Sequence, residues 1–364
     1  MQTVADVISR LPVLDYAQQP APAYVHDTAR RSRVLFGLEA FARHMTDEAW
    51  QQQRGLQLAG YSIYGVGYPS QNNTGDVGAV MAKERPGVAI MQDKREWDEA
   101  NRACIEKGKA FYNIAPMKAD DSAFRLTFHK DAHYDQPYHS AAHDEFGVHA
   151  WIVTYNPKTV LRLCPWMRPQ HMIRAHHTVN PNHVPAFNVG PRANATVSGA
   201  MSHKVYPLRS KVREWCRRHQ LPGVEVLRHP GYHARGAATP AYFRHLAKFK
   251  VSICCSSVWG HSFRKLIEGT VAGCRVITDL PVDDPMPEID ENFIRVPTGI
   301  DRDELAAVIE EAVAGYDVER QKALSQRAVL WYDYRRQGER LAQEIEDLRA
   351  NYANTIAPVG AAAT

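Results

Sequence analysis

The sequence predicts an α/β fold in which two parallel-sheet domains follow one another along the chain. The chain has 364 residues, more than one hydrophobic core of ordinary size accommodates. Hydrophobic residues make up 45% and charged residues 23%, a composition typical of globular proteins. Short apolar runs alternate with segments of helical spacing through most of the chain, and this alternation predicts parallel strands covered by helices.

The second half alternates most regularly. Apolar segments predict strands at 194–202, 224–230, 250–257, 274–281 and 293–299. Helical spacing predicts helices at 211–221, at 239–249, at the start of 262–281 and over a long region from about 302 to 351. Pro240 suits the first turn of its helix.

The first half alternates less cleanly and is joined to the second by a predicted linker. Strands are predicted at 30–38, 61–69, 86–98, 123–133, 149–156 and 171–180, with a helix at 39–60. Proline, glycine and asparagine dominate residues 181–192, which predicts a linker. We therefore expect an N-terminal domain over 1–185 and a second domain over 193–330. A final helix over 331–352 and a disordered tail over 353–364 follow.

Charge and cysteine content constrain the partners and the compartment. The net charge is +4, with 17 histidines in addition, which permits a phosphate-bearing partner without requiring one. The six cysteines show neither a CxxC pair nor zinc spacing, so we expect a reduced, cytoplasmic protein. The N-terminus lacks a basic region followed by an apolar run, and no stretch reaches the roughly 18–20 apolar residues that span a bilayer. We expect no membrane insertion, and a monomer or homodimer.

The segment SFRKLIEGTVAGCRVITDLP (262–281) carries the clearest functional signal. Small residues precede its helix, namely Ser256, Ser257, Gly260 and Ser262. Backbone N–H groups at such a helix start bind phosphate, and Arg264 and Lys265 add cationic donors in the first turns. Glu268 lies one turn further on, where a carboxylate can accept both hydroxyls of a ribose. The alternative is a solvated i,i+4 pair of Arg264 with Glu268 on an exposed face.

This segment resembles the nucleotide-binding segment of GT-B glycosyltransferases of family 4, the group 1 type, through S-x-x-x-G-x-S-x-R-K-L-I-E-G-T-V-A-G-C-R-V-I-T-D. The resemblance extends over the second half. SGAMSHKVYPLR (198–209) resembles the first strand and phosphate-facing loop of the family's second domain, and LRHPGY (227–232) resembles a strand that faces the nucleotide base. RAVLWYDYRRQGERLAQEIEDL (327–348) resembles the terminal helix that crosses back to the first domain. In the first half, only element order and DAH (131–133) match.

The resemblance implies two facing Rossmann-like domains and transfer of a hexosyl or pentosyl group from a nucleoside-diphosphate sugar, most simply a UDP-sugar, to a hydroxyl. It implies no permanently bound cofactor and no metal. Glu268 corresponds to the second glutamate of the family's E-x7-E motif, the ribose binder, whereas the first glutamate falls on Gly260. Arg264 and Lys265 are then expected to bind the diphosphate. Further members of the expected donor-binding set are Arg209 (or Lys204), Gly199 and Ser262.

Polar residues that follow strands of the first half are candidates for the chemistry. His133, or Asp131, is expected to orient a sugar hydroxyl or to act as general base, because histidine titrates near neutral pH. Asp93 is a second candidate base for the acceptor hydroxyl, and a surface pair with Lys94 or Arg95 is its alternative. Five histidines share one segment, which also leaves a metal site open: His129, His133, His139, His143 and His149.

The acceptor is constrained least. Basic residues accompanied by aromatic ones are compatible with a polyanion. The chain as a whole also resembles phage glycosyltransferases that modify 5-hydroxymethylpyrimidines such as hydroxymethylcytosine in DNA, and this resemblance implies a DNA base as acceptor. The basic residues concerned are Arg30, Arg31, Arg33, Lys211, Arg213, Arg217, Arg218 and the RAHH of 174–177. The alternative acceptor is a cell-envelope or capsule polysaccharide. A nucleotide-dependent oxidoreductase would carry a G-x-G-x-x-G turn, which is missing. A non-catalytic binding module would not need Arg264, Lys265 and Glu268 together.

Overall fold

The computed structural model describes residues 32–36, 48–64, 77–91, 123–129, 147–200, 202–227 and 238–356. These residues form two compact units. The C-terminal unit comprises His177–Tyr334 together with Glu48. The N-terminal unit comprises the other described residues before position 177 and those from 335 to 356. Each unit has its own parallel sheet with helices, so the predicted α/β class with two sheet domains is confirmed.

The sheet of the N-terminal unit has six strands among the described residues, in the order β2-β1-β3-β4-β5-β6. Neighbouring strands are parallel throughout. The strands are β1 Arg33–Phe36, β2 Ser62–Tyr64, β3 Val88–Met91, β4 Phe124–His129, β5 Ala150–Val153 and β6 Met172–Arg174. The helices before the second unit are α1 Glu48–Leu58, α2 Val77–Glu84 and α3 Pro157–Leu163, and a 3₁₀ turn spans Pro169–His171.

The last helix of the chain, Tyr334–Ile356, belongs to the core of this N-terminal unit. Its Leu341, Ala342 and Ile345 pack with apolar residues of β1 and β3 to β6. A Cβ on Gly338 would overlap the backbone of Gly55 in α1, so only glycine allows this close helix contact. The predicted return of the C-terminal helix to the first domain is thereby confirmed. The helix extends to Ile356, the last described residue, four residues into the predicted tail.

In the described part of the C-terminal unit, the sheet has five parallel strands in the order β11-β10-β9-β7-β8. The strands are β7 Ala193–Ser198, β8 Val224–Leu227, β9 Phe249–Ile253, β10 Arg275–Thr278 and β11 Phe293–Arg295. The helices are α4 Pro207–Arg217, α5 Ala238–Leu246, α6 Arg264–Val271, α7 Arg302–Ala314 and α8 Val318–Tyr332, which makes the last helix α9. Short 3₁₀ turns span Pro181–His183 and Asp290–Asn292.

Helices cover both faces of this second sheet because its strands are apolar on both sides. Val251 and Ile253 of β9 pack in a core with residues of α4 and α7. Val276 of β10 lies in a separate core with residues of α5, α6 and α8. The strand order has one point where sequence order reverses, since β7 pairs with β8 on one side and with β9 on the other. In open parallel sheets of this kind, ligands bind beyond the carboxyl ends of the strands at that point.

The predicted linker, 181–192, is attached to the C-terminal unit. The Arg192 guanidinium donates to the backbone oxygens of Phe249 at 3.0 Å and Ala272 at 3.1 Å, and it stacks 4.8 Å from the Phe187 ring. Just before it, Val179 pairs with Asp333 in a parallel bridge. Composition indicated a linker because proline and glycine interrupt regular structure, but hydrogen bonds from one arginine side chain fix the segment.

Candidate functional site

The site lies where β7 and β9 end side by side in the C-terminal unit. Val197 of β7 is in register with Ile253 of β9, so the loops that follow both strands begin next to each other. The first loop leads into α4, and the second leads into α6. This is the reversal point of the strand order, and the predicted donor-binding residues lie on these two loops or in the two helices that follow them.

Helix α6 begins without a side-chain cap and ends in a Schellman motif. Its N-cap residue, Phe263, has no side-chain oxygen that could accept from the first N–H groups. At the other end, Gly273 N–H donates to Thr270 at 2.9 Å and Cys274 N–H donates to Gly269 at 2.9 Å. The N-terminus of α6 therefore presents its partial positive charge at the carboxyl edge of the sheet.

The loop between β9 and α6 is held in place by the ends of neighbouring elements. Ser256 N–H donates to Asp279 Oδ1 at 2.5 Å, and Val258 N–H donates to Val205 O at 2.9 Å. Gly260 has φ +73°, and a Cβ there would lie 3.0 Å from Pro281 Cγ. The acid and the proline that end the segment 262–281 thus shape this loop, with Asp279 binding its backbone and Pro281 lying beside Gly260.

Arg209 is the most unusual residue of the site. It is 2% exposed, and its Nη1 and Nη2 donate to the backbone oxygens of Ala200 at 3.0 Å and Cys255 at 3.1 Å. Its guanidinium lies 4.3 Å from the centre of the Tyr206 ring. The Nε is buried without a hydrogen-bond partner. Among the described residues no carboxylate pairs with Arg209, so a buried positive charge at this edge lacks an anion.

Gly199 allows the two connections to approach. It follows β7 directly, with φ +111°. A Cβ at this position would lie 2.7 Å from Arg209 Nη1 and 3.0 Å from Lys265 Cε. Any larger residue would therefore need both strained backbone geometry and displacement of two cationic side chains. The structure thus brings Gly199, Arg209 and Lys265 together from three separate parts of the sequence.

Lys265 lies in the same cluster and is held from two sides. Its Nζ donates to Tyr242 Oη at 3.3 Å and lies 3.6 Å from Glu268 Oε2. Burial by itself lowers the pKa of Lys265, but the negative charges that Tyr242 and Glu268 carry when ionised raise it more, so the net pKa is above its ordinary value. Burial raises the pKa of Tyr242, so this phenol is neutral at pH 7. Glu268 is then the negative charge beside the Lys265 ammonium.

Glu268 lies between two cations. Its Oε1 is 3.3 Å from Arg264 Nε, and its Oε2 faces Lys265. The side chain of Glu268 is 9% exposed and that of Arg264 is 15% exposed. The alternative of a solvated pair on an exposed helix face is therefore wrong, because both charged groups are largely withdrawn from water. A carboxylate oriented by two cations is preorganised as an acceptor for hydroxyl groups.

The other predicted residues fall into two groups. Ser262 is buried directly before the N-cap of α6, and Lys204 is exposed, so Arg209 is the better candidate of the two basic residues considered. Asp93, Asp131 and His133 lie outside the described residues, as do His139 and His143.

Two described histidines of the proposed metal segment make protein contacts. His129 Nε2 lies 3.4 Å from Cys164 Sγ in the N-terminal core. His149 Nδ1 accepts from Arg125 N–H at 3.0 Å. Among the described residues, no group of three histidine, cysteine, aspartate or glutamate side chains could hold a metal ion.

One residue of the cluster was not predicted from the sequence. Tyr242 of α5 contributes its hydroxyl, which lies 2.6 Å from Ser198 Oγ at the end of β7. Ser198 belongs to the polar strand end that resembles the phosphate-facing loop. Tyr242 has no sequence signal of its own, because its role depends on the packing of α5 against the sheet.

Solved structures with a similar fold are GT-B glycosyltransferases. Sucrose-phosphate synthase from Thermosynechococcus elongatus matches with a TM-score of 0.52 and 12% identity, over 88% of this chain and 100% of that chain. AviGT4, a glycosyltransferase involved in avilamycin A biosynthesis, matches with 0.51 and 12%, over 88% and 98%. A glycosyltransferase from Rickettsia africae matches with 0.51 and 10%, over 88% and 99%. No family model and no curated protein matches the sequence.

These similarities establish the fold class, since identities of 10% to 12% carry no more than that. The chain has two Rossmann-like α/β units of the kind found in GT-B glycosyltransferases. None of the described helices combines the length and the apolar character needed to cross a membrane.

Proposed function

We propose that the protein is a glycosyltransferase that moves a hexosyl or pentosyl group from a nucleoside-diphosphate sugar, a UDP-sugar in the simplest case, to a hydroxyl. The observation that carries this proposal is Arg209. A guanidinium buried to 98% without a carboxylate costs free energy unless an anion completes it. Its position at the reversal point of a parallel sheet is where such sheets bind nucleotides.

We assign different parts of the sugar-nucleotide donor to different residues around Arg209. Arg209, Lys265 and the uncapped start of α6 are assigned to the diphosphate. Glu268 is assigned to the ribose hydroxyls, and Arg264 orients its carboxylate. When the sugar departs, negative charge develops on the diphosphate, and cations already fixed in a water-poor site stabilise it without reorganisation. Gly199 and Ser262 line the approach of the phosphates on this assignment.

Gly260 occupies the place of the first glutamate of the E-x7-E motif, so no carboxylate from this position faces the donor sugar. A glutamate there would have to adopt φ +73° with its Cβ 3.0 Å from Pro281 Cγ. We therefore propose that the donor sugar is oriented without an acid from this loop.

The acceptor side is assigned to the N-terminal unit, with Asp93, Asp131 and His133 as the candidate catalytic residues. We propose the cytoplasm as the compartment, that of the host cell for a phage protein, because the described cysteines are free thiols.

For the acceptor, a 5-hydroxymethylpyrimidine base in DNA remains our proposal, with an envelope or capsule polysaccharide as the alternative. Lys211 and Arg213 are exposed on α4, which favours a polyanion. Other members of the basic set are engaged elsewhere: Arg217 and Arg218 bind Glu214, and His177 of the RAHH stretch is buried against Glu48. Within the part of the chain that the structure describes, the support for DNA therefore comes from one helix face, while Arg30 and Arg31 lie outside it.

The donor assignment is tested with a thermal-shift panel of UDP, GDP, ADP, CMP and NAD on the wild type and on Glu268→Ala. A ligand at a hundred times its Kd adds about 2.7 kcal/mol and raises the Tm by several degrees. We expect a shift with one nucleoside diphosphate, UDP first, and its loss in Glu268→Ala. Glu214→Ala is the matched control, since Glu214 also pairs with two cations but lies exposed on α4. A shift with NAD alone, or with none of the five, would overturn the proposal.

The acceptor is tested by transfer from the donor so identified. Hydroxymethylated DNA, the same DNA without the modification and a small alcohol are compared at two salt concentrations. Transfer to hydroxymethylated DNA that falls steeply with salt supports the DNA acceptor, because phosphate contacts release counterions. Equal transfer to the small alcohol and to DNA contradicts it and leaves the polysaccharide as the acceptor to test.

A further inference from the structure

The hydroxyl of Tyr242 joins the end of β7 to the start of α6. Tyr242 is 7% exposed and reaches the cluster from α5. Its Oη lies 2.6 Å from Ser198 Oγ and 3.3 Å from Lys265 Nζ. The donor assignment above does not use this tyrosine, although it contacts one of the two cations assigned to the diphosphate.

Chemistry fixes the direction of one of these two hydrogen bonds. An ammonium group has donors only, so Lys265 must donate to the Tyr242 oxygen. In the bond between Tyr242 and Ser198 either hydroxyl can donate. Burial raises the pKa of Tyr242, which keeps its hydroxyl protonated at working pH. The result is a continuous hydrogen-bonded chain from Lys265 through Tyr242 to Ser198.

The same tyrosine holds the ammonium by its ring. Lys265 Nζ lies 4.8 Å from the centre of the Tyr242 ring, within cation–π range. Glu268 competes for this ammonium, since its Oε2 lies 3.6 Å away, slightly further than the phenol oxygen. Without the hydroxyl, Lys265 would be free to close onto Glu268 and would move away from the position assigned to the diphosphate.

We propose that Tyr242 is a positioning residue: it holds the Lys265 ammonium at the diphosphate position and keeps it from closing further onto Glu268 than the 3.6 Å observed. The proposal rests on the proposed function of the site. A purely packing role makes a different prediction, because the ring of Tyr242 also belongs to the core with Phe243 and Leu266. Tyr242→Phe keeps the ring and removes only the hydroxyl, so it separates the two roles.

The test is calorimetric titration of the full-length protein with UDP and, to remove any dependence on the base, with inorganic pyrophosphate. Tyr242→Phe is expected to weaken the binding of both about fivefold to tenfold, the factor that corresponds to one ordinary hydrogen bond. Ser198→Ala, which removes the other end of the chain, should weaken binding by a smaller factor. Tyr316→Phe is the matched control, because its hydroxyl donates to Gly273 O at 2.8 Å in the same unit, away from this cluster.

A double-mutant cycle with Lys265→Met decides whether the tyrosine acts through the lysine. We expect Tyr242→Phe to have no further effect on binding in the Lys265→Met background. An equal loss with and without Lys265, or unchanged binding in Tyr242→Phe, would overturn the positioning role. If the latter occurs while Lys265→Met still weakens binding, the donor assignment survives. A wild-type protein that binds neither UDP nor pyrophosphate overturns the donor assignment and this proposal with it.

Discussion

Two arginines at opposite edges of the C-terminal sheet have similar surroundings but differ in how many of their hydrogen-bond donors have a partner. Arg192 directly precedes β7, and Arg209 follows it. Each guanidinium binds backbone oxygens of two neighbouring segments, and each lies over an aromatic ring. Each also lies against a glycine, Gly273 for the first and Gly199 for the second, where a Cβ would approach a guanidinium nitrogen within 3 Å.

The difference lies in the remaining donors. Arg192 uses all three nitrogens, since its Nε and Nη2 donate to Asn188 O at 3.2 and 3.0 Å while Nη1 binds the strand and helix ends. Arg209 leaves its buried Nε without a partner. The half-buried Arg192, whose nitrogens all donate, stabilises the fold, whereas the buried Arg209, with a donor left over, is a candidate for binding a ligand. Whether all guanidinium donors have partners therefore distinguishes the structural arginine, Arg192, from the candidate functional one, Arg209.

The largest effect is expected from Arg192→Met. Methionine keeps the contact with Phe187, but the backbone oxygens of Asn188, Phe249 and Ala272 lose the hydrogen bonds from Arg192, and of these three Phe249 O keeps another donor, Cys274 Sγ. Since each unsatisfied buried acceptor costs about 1–3 kcal/mol, the free energy of unfolding should fall by about 4 kcal/mol. Denaturant unfolding checks this value. Nucleotide binding by the fraction that remains folded should be unchanged, and a specific loss of nucleotide affinity would show that this comparison of the two arginines is wrong.

Arg209→Met should give the reverse result. The nucleoside-diphosphate affinity should fall about a hundredfold, because charge-assisted hydrogen bonds to phosphate are lost. The free energy of unfolding should change by no more than about 1 kcal/mol, since the uncompensated guanidinium already carries a desolvation cost in the folded protein. Titration with UDP and denaturant unfolding of the same preparation give both numbers. A large loss of stability with unchanged affinity would place Arg209 with Arg192 as a structural residue.

Much of the fold was predictable because alternation in the sequence reflects burial. All of the predicted strands of the second half occur in the structure, although most are shorter than predicted. The main misplacement was α4, predicted at 211–221 and observed at Pro207–Arg217. Pro207 at its first turn was the available signal. In the same way, Asn156 caps α3 by accepting from Lys158 N–H at 2.9 Å, and the Asn-Pro pair was not used to predict that helix.

The candidate site was predictable where its residues are close in sequence. Arg264, Lys265 and Glu268 share two turns of one helix, so spacing alone placed them together. Arg209 was reached only through resemblance, because its burial depends on how α4 packs on the sheet. Tyr242 had no signal, since nothing in a single sequence shows which core tyrosine turns its hydroxyl toward a lysine. A single sequence therefore does not show which side chains from separate helices and strands come together in the site.

Gly199→Ala tests the glycine on the functional side of the comparison. Both the positive φ and the contact with Arg209 oppose the added methyl group, so the free energy of unfolding should fall by about 2 kcal/mol. Gly60→Ala is the matched control, because Gly60 has φ +95° but nothing within 4 Å of a Cβ, and about 1 kcal/mol is expected there. Nucleotide titration should show weaker binding for Gly199→Ala alone. If the two substitutions had equal effects on stability and on binding, the contact between residue 199 and Arg209 would contribute to neither.

A third arginine, Arg295, sharpens the comparison with the smallest effect. Its Nε is also buried without a partner, but Asp290 neutralises its charge at 2.7 Å. Burial tends to raise the pKa of Asp290, but hydrogen bonds from Arg295 and from Met286 N–H lower it below the ordinary 3.8. A lowered folded-state pKa means that the stabilisation is present above 3.8 and is lost as the pH falls through the folded value.

Because Asp290 is 40% exposed, solvent screening keeps the contribution of this pair below about 1 kcal/mol. The difference in unfolding free energy between the wild type and Asp290→Asn should therefore be small at pH 6 and should shrink further in acid. Denaturant unfolding at both pH values measures it, and a difference that grows in acid would reverse the sign argued here. Arg295→Met should leave UDP affinity unchanged, since a guanidinium with its own carboxylate has no need of a phosphate. If Arg295→Met weakened UDP binding as Arg209→Met does, charge neutralisation would not be what distinguishes the two.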